Sequence, residues 1–243
     1  MKNNKKLAAT NKERYYMYGT HAVLAAAKNK SRNIKQIYCL SKHADELKQK
    51  ILNVPVEIVQ NDFIKNKIGK DQTHQGIIAL VNTIFKNDLE SADLQQPKAK
   101  IAILDQISDP QNIGAIIRSA AAFGIKTIIL PNDNTPGENA IIAKTACGCL
   151  ELVDIIKVTN LKNTIGKLKD LGFWIAGLHT SGDTNTDTLK NIDKIAFIIG
   201  SEGKGMRKLT TKSCDFLVKI PISQDVESLN ASNAASIIFY LMK

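Results

Sequence analysis

Residues 101–130 read IAILDQISDPQNIGAIIRSAAAFGIKTIIL. An apolar run, IAIL at 101–104, gives way to a polar, Pro-containing loop; apolar residues then recur with helical spacing over 112–123, and TIIL at 127–130 is a second short apolar run. Strand, helix and strand in that order predict a βαβ unit, whose two strands lie parallel in one sheet. Towards the C-terminus the alternation continues. A helix is expected through 138–146, strand LVDII at 152–156, a helix at 161–171, strands FWIAGL (173–178), IAFIIG (195–200) and FLVKI (216–220), and a terminal helix from about 231. The expected fold class is therefore α/β, with a mostly parallel sheet covered by helices on both faces. In such sheets ligands bind at the carboxyl ends of the strands, so polar residues and glycines at those ends are the candidate site.

Towards the N-terminus the stretch from Phe85 to Lys100, FKNDLESADLQQPKAK, is polar, charged and without periodicity, and a linker is placed at 86–98. Before it lies a second, smaller alternating series. A helix is expected over His21–Ala27, a strand over Ile34–Leu40 and a polar helix over Ala44–Leu52. Strand Val56–Val59, helix Asp62–Ile68 and strand Gly76–Val81 complete it. The expected organisation is a flexible basic arm at 1–14, a small α/β domain at 15–85, the linker, and a larger domain at 99–243.

Composition limits the function classes. With 44% apolar and 23% charged residues the chain is neither disordered nor fibrous. No apolar run approaches the roughly 20 residues of a membrane-spanning helix, and the basic N-terminus lacks the apolar core of a signal peptide, so a cytosolic protein is expected. Cys147 and Cys149 form a C-x-C pair that matches no usual zinc spacing; reduced structural thiols and no metal site are expected. Of the net charge of +10, residues 1–98 contribute +8 (17 Lys/Arg against 9 Asp/Glu) and residues 99–243 only +2 (16 against 14). Such asymmetry suits a polyanion-binding module beside a nearly neutral catalytic one, and equally a solvated Lys-rich surface.

Three segments at strand ends carry candidate chemistry. In the first, Asn112 stands at a helix entry, where a cap is the ordinary role. Arg118 sits on an otherwise apolar helix, and its guanidinium must reach a carboxylate, a phosphate or solvent. In the second, IAFIIGSEGKGMRKLT at 195–210, an apolar strand runs into Gly200, Gly203 and Gly205 with Glu202 between them. That matches neither a Walker A loop nor G-x-G-x-x-G; it reads as a strand-to-helix turn or as a backbone cradle for a nucleotide-like ligand. In the third, VKIPISQDVESLNASNAASIIFYLMK at 218–243, Ser228, Leu229 and Asn230 lead into a helix whose small residues permit close packing.

Taken in order, the strings DPQNIGAIIRSA, IIGSEGKGM and IPISQDVESLNAS resemble the three motifs of the SpoU, or TrmH, family of RNA 2′-O-ribose methyltransferases, within the SPOUT superfamily. YGTHAVLAAA (18–27) and HQGIIALV (74–81) resemble the ends of the small ribosomal-protein-like RNA-binding domain in one branch of that family, which includes the bacterial enzyme acting on a guanosine ribose of 23S ribosomal RNA. The resemblance implies a trefoil-knotted C-terminal domain and S-adenosyl-L-methionine as cofactor, held by the backbones of Gly200, Ile220 and Leu229. It implies Arg118 as the catalytic arginine, with Asn112, Glu202, Ser228 and Asn230 as further active-site positions. It also implies a homodimer, structured RNA (23S rRNA above transfer RNA) as substrate, and neither DNA nor membrane as partner. A non-catalytic ribosome-assembly factor is the competing reading. An oxidoreductase on a doubly wound sheet is disfavoured, because SDPQNIG stands where the glycine fingerprint would be.

Overall fold

Two sheets organise the computed structural model, which describes residues 13–51 and 53–243. The first unit comprises β1 (Arg14–Tyr18), α1 (Thr20–Lys28), β2 (Ile34–Cys39), α2 (Ala44–Lys50), β3 (Val56–Ile58), α3 (Asn61–Ile68) and β4 (Ile77–Asn82). Its sheet runs β1-β4-β2-β3. Strand β4 pairs antiparallel with β1 and β2, and β2 pairs parallel with β3. The basic arm expected at 1–14 falls largely on residues 1–12, outside the described residues, and its last position, Arg14, opens β1. No strand is expected from RYYMY alone. It forms because Ile77, Ile78, Ala79 and Val81 of β4 are buried and the backbone between them must be paired on both sides.

The second unit begins with β5 (Ala99–Asp105), α4 (Pro110–Ala122), β6 (Thr127–Pro131) and α5 (Ala140–Thr145). It continues through β7 (Asp154–Val158), α6 (Leu161–Asp170), β8 (Trp174–Leu178), β9 (Lys194–Gly200), α7 (Lys208–Lys212), β10 (Phe216–Val218) and α8 (Ala231–Leu241). The six strands lie in the order β10-β8-β9-β5-β6-β7, every neighbouring pair parallel. Alternate residues of the central strands face opposite sides. Ala102, Leu104, Phe197 and Ile199 join the apolar cluster under α4, α5 and α8, while Ile101, Ile103, Ala196 and Ile198 join a second cluster with Ile165 and Leu168 of α6. The α4–α5 approach depends on Gly114, where a Cβ would stand 2.6 Å from Cβ of Thr145 and 2.8 Å from the carbonyl of Ile142. Helix α4 starts two residues before the expected 112. Asp109 caps it by accepting from the Gln111 N–H, so Asn112 is an interior residue and not the cap.

The stretch 86–98, expected as a linker, lies on the second sheet. Lys86 pairs with Ile156 at the β7 edge, and Ala92 and Leu94 are buried. The two units also share apolar packing, since one cluster runs from Val23, Ile37 and Val81 to Ile113, Ile142 and Phe197. At their seam sits a buried ionic network. Arg32, from the turn after α1, is paired with Glu138 and Glu151, and its Nη1 also donates to the Asn82 carbonyl at 2.9 Å. Burial opposes the Arg32 charge, but the hydrogen bonds and charges of Glu151 and Glu138 outweigh it and raise its pKa above the usual arginine value. Burial, and then the neighbouring Glu138 carboxylate, likewise push the Tyr15 phenol up. The four cysteines are free thiols; burial raises the pKa of Cys39, Cys149 and Cys214, the last to about 11, which disfavours the thiolate at those three.

Candidate active site

Beyond the carboxyl ends of β8, β9 and β10 lies a cleft of about 380 Å³. Its floor is Leu178, Ile199 and Val218; its walls are the loop after Gly200, the segment from Ile220 to Leu229, and the first turns of α8 at Ala231 and Ala234. Five of the eight residues expected at the site, Gly200, Ile220, Leu229, Glu202 and Ser228, line this one cleft. Asn230 stands at its edge. Its Oδ1 caps α8 by accepting from the Ser232 N–H at 2.8 Å, and its Nδ2 faces Glu202 Oε2 at 3.4 Å, which ties the second and third motifs together.

The shape of the Gly200 loop follows from its glycines. Ser201 and Gly205 exchange backbone hydrogen bonds at 3.2 and 2.8 Å, folding the loop back on itself. Gly203 and Gly205 take φ of +78° and +65°, a region glycine enters without strain. At Gly200 a Cβ would stand 2.3 Å from the carbonyl carbon of Gly205 and 2.4 Å from the nitrogen of Met206, so only glycine fits. Strand β10 pairs only as far as Val218, two residues short of the expected end. Ile220, Ile222, Ser228 and Leu229 consequently enter none of the backbone–backbone hydrogen bonds among the described residues. Unpaired peptide groups beside Leu178, Ile220 and Leu229 are what the flat apolar faces and polar edge of an adenine require, so the residues present fit S-adenosylmethionine.

Asp105 was missed in the sequence, although a carboxylate ending a buried strand is a signal. It is fully buried opposite Gly200 in the sheet register. Its carboxylate accepts from the backbone N–H of Arg207 at 2.9 Å and from Arg207 Nε at 2.7 Å. Asp105 thus pins the far end of the Gly200 loop from the face of the sheet opposite the cleft. His179, also in the cleft wall, has its Nδ1 within 2.8 Å of the Ser181 hydroxyl.

Arg118 and Asn112 do not line the cleft. Arg118 is exposed on α4, forms no ion pair among the described residues, and lies near enough to Cys149 to act on its thiol. Asn112 is half-buried in the first turn of the same helix. The apolar neighbours that made Arg118 conspicuous face inward, and its guanidinium reaches solvent.

An all-parallel sheet with a glycine-shaped cleft past the ends of β8, β9 and β10 marks a ligand-binding α/β domain, here joined to a smaller mixed-sheet domain. Comparison with known proteins assigns both parts. The SpoU rRNA Methylase family profile matches residues 99–240, and that for RNA 2′-O ribose methyltransferase substrate binding matches residues 16–84. The chain belongs to the SpoU rRNA methylase family. It is 36% identical over 231 residues to the 23S rRNA (guanosine-2′-O-)-methyltransferase RlmB of Neisseria meningitidis, covering 91% of this chain and 92% of the relative. It is 39% identical over 211 residues to a putative TrmH family tRNA/rRNA methyltransferase of Staphylococcus aureus, covering 85% and 82%. The fold matches the SpoU methyltransferase AviRb from Streptomyces viridochromogenes, solved in complex with AdoMet, with a TM-score of 0.83 at 21% identity over 94% of this chain and 89% of that one. The chain is a S-adenosylmethionine-dependent RNA 2′-O-methyltransferase by family.

Removing the pin beneath the loop should therefore reach the cofactor. Asp105→Ala is expected to weaken S-adenosylmethionine binding about 10- to 100-fold by calorimetry, since hydrogen bonds to charged groups contribute about 1.5–3 kcal/mol. Binding at wild-type strength would mean that the loop holds its shape without Asp105.

Proposed function

We propose that this protein methylates the ribose 2′-hydroxyl of a guanosine in 23S ribosomal RNA. The observation that carries the reading is the convergence of Gly200, Glu202, Ile220, Ser228 and Leu229 on one cleft. Gly200, Ile220 and Leu229 hold the cofactor, which supplies an electrophilic sulfonium methyl when bound. Glu202, Ser228 and Asn230 orient the ribose, and the Glu202–Asn230 contact keeps two of them in register. The rRNA target is preferred to transfer RNA because the chain carries the substrate-binding domain and shares 36% identity along most of its length with an enzyme named for 23S rRNA. A cytoplasmic location accords with such a substrate; no helix among the described residues is long and apolar enough to cross a membrane.

Arg118 is assigned to the RNA. A guanidinium stays protonated in proteins, so it does not take the hydroxyl proton. It clamps the adjacent phosphate and stabilises the alkoxide as charge develops, and the phosphate or a water accepts the proton. Asn112, six residues earlier on α4, steadies this arrangement. Because Arg118 lies outside the cleft of its own chain, the complete site calls for a homodimer docked through the α4–α8 face, where Tyr240 is 55% exposed and meets Phe123 edge to face at 5.7 Å. The second copy then carries its Arg118 to the cleft. A trefoil knot is the topology this reading assigns to the C-terminal segment. Its supports are the turn His179–Thr184 lying across β10, with Thr184 bridged to Val218, and the return of α8 from the sheet edge to α4. Arg118→Ala is expected to bind S-adenosylmethionine normally and to lower methyl transfer to RNA by about 10²–10³-fold, the usual effect of deleting one donor to a developing oxyanion. Transfer near the wild-type rate would remove Arg118 from the reaction.

A further inference from the structure

The half-buried His74 stands in the turn before β4, where the two units meet. Its Nδ1 accepts the Gly76 N–H at 3.0 Å, so in the neutral ring the proton is on Nε2, a donor with no protein partner among the described residues. The turn is rigid. Gln75 and Gly76 take φ of +56° and +83°, the Gln75 carbonyl lies 2.9 Å from His43 Nε2, and the Gln75 side chain accepts the Thr20 N–H at 2.9 Å. Lys144, from α5 of the methylase unit, reaches across the seam. Its Nζ stands 5.2 Å from the Tyr18 ring centroid and its stem lies against Gly19, where a Cβ would meet Lys144 Cγ at 4.0 Å.

The charges acting on His74 come from Lys65, Lys144 and Lys42, all of one sign; burial first and then these three lysines lower its pKa. None of the three lysines forms an ion pair among the described residues, and residues 1–12 contain no carboxylate that could supply one. Lys42 adjoins His43, whose ring contacts the Gln75 carbonyl, Lys65 follows Ile64, which packs with Tyr18, and Lys144 lies over the Tyr18 ring, so three lysines and His74 surround this turn. The Arg32–Glu138–Glu151 network behind them locks the units together, so Lys144 is held in place relative to His74.

We infer that a phosphodiester segment of the RNA substrate binds at this seam, on a composite anion site formed by Lys42, Lys65 and His74 of the first unit and Lys144 of the methylase unit. The inference rests on the RNA-methyltransferase reading and adds to Arg118 a second phosphate contact from the methylase unit, at its seam with the first unit.

The test compares wild type with the triple variant Lys42→Ala, Lys65→Ala, Lys144→Ala. Its control, Lys98→Ala, Lys162→Ala, Lys190→Ala, removes the same charge elsewhere. With a 23S rRNA transcript, the slope of log affinity against log salt should become shallower by about 0.7–0.9 for each lost phosphate contact, and KM for RNA should rise by about tenfold or more. S-adenosylmethionine affinity should stay at the wild-type value, which also shows that the variant is folded. His74 resonances in the wild type should titrate at higher pH once the transcript is bound, because phosphate replaces like charge around the ring. Equal losses in the control triple, an unchanged salt slope in the seam triple, or a His74 titration that RNA leaves in place would each overturn the inference. A wild-type protein that binds RNA with the expected seam dependence but transfers no methyl would refute the functional reading and leave the seam site standing. Normal transfer by the seam triple with unaltered KM would do the reverse.

Discussion

Glu138→Ala should lower the thermal midpoint by about 6–20 °C. Glu138 is the acceptor at the centre of the seam: its carboxylate takes hydrogen bonds from the Tyr15 hydroxyl at 2.8 Å, from the backbone N–H groups of Ile84 and Phe85 at 2.6 and 3.1 Å, and from Arg32. The side chains of Arg32 and Glu138 are fully buried. Breaking one partner of a buried ion pair costs about 3–5 kcal/mol, because the other charge remains in a medium that cannot solvate it. At a chain of this size each kcal/mol shifts the midpoint by about 2–4 °C. Glu151→Ala should cost less, because Arg32 would keep Glu138. Scanning calorimetry of both variants orders the effects; a Glu138→Ala shift under about 2 °C would mean that the network carries little of the seam.

Gly200→Ala should abolish useful cofactor binding. The added methyl would meet Gly205 and Met206 backbone at 2.3 and 2.4 Å, and neither can rotate away as a side chain could. The loop must open, displacing the cleft wall that carries Glu202 and the backbone beside it. Gly166→Ala is the contrast. Gly166 lies inside α6 with nothing within 4 Å of its Cβ position, so the substitution should leave cofactor affinity intact and stabilise the protein by up to about 1 kcal/mol. S-adenosylmethionine isotherms for the two variants make the comparison. Comparable affinities would show that the Gly200 loop is pliable and that the cleft does not depend on its shape.

The central architecture was legible in the sequence because its strands are short, apolar runs separated by helical periodicity, and IAIL, TIIL and IAFIIG all became sheet strands within one or two residues of their expected limits. Strand β1 was not, because RYYMY has no alternation of its own and is specified by β4, some 60 residues later in the chain. The seam was equally hidden. Arg32, Glu138 and Glu151 read as ordinary surface charges until folding brings positions 106 and 119 residues apart into contact. The cleft at the ends of β8, β9 and β10 was legible from its glycines and motif strings. What those strings conceal is spatial: Arg118 belongs to the first motif but does not line the cleft formed by the other two. Asp105, immediately after IAIL, escaped notice because its role depends on Arg207, which is distant in sequence.

The most direct test of the central claim is methyl transfer itself. Purified protein, radiolabelled S-adenosylmethionine and ribosomal RNA from cells lacking this protein should yield label in 23S RNA, at one guanosine, on the ribose; ribose-methylation mapping of the same RNA should show that 2′-O-methyl mark only after incubation. Label in transfer RNA alone, label on a base, or no transfer to either RNA while the cofactor binds would contradict it.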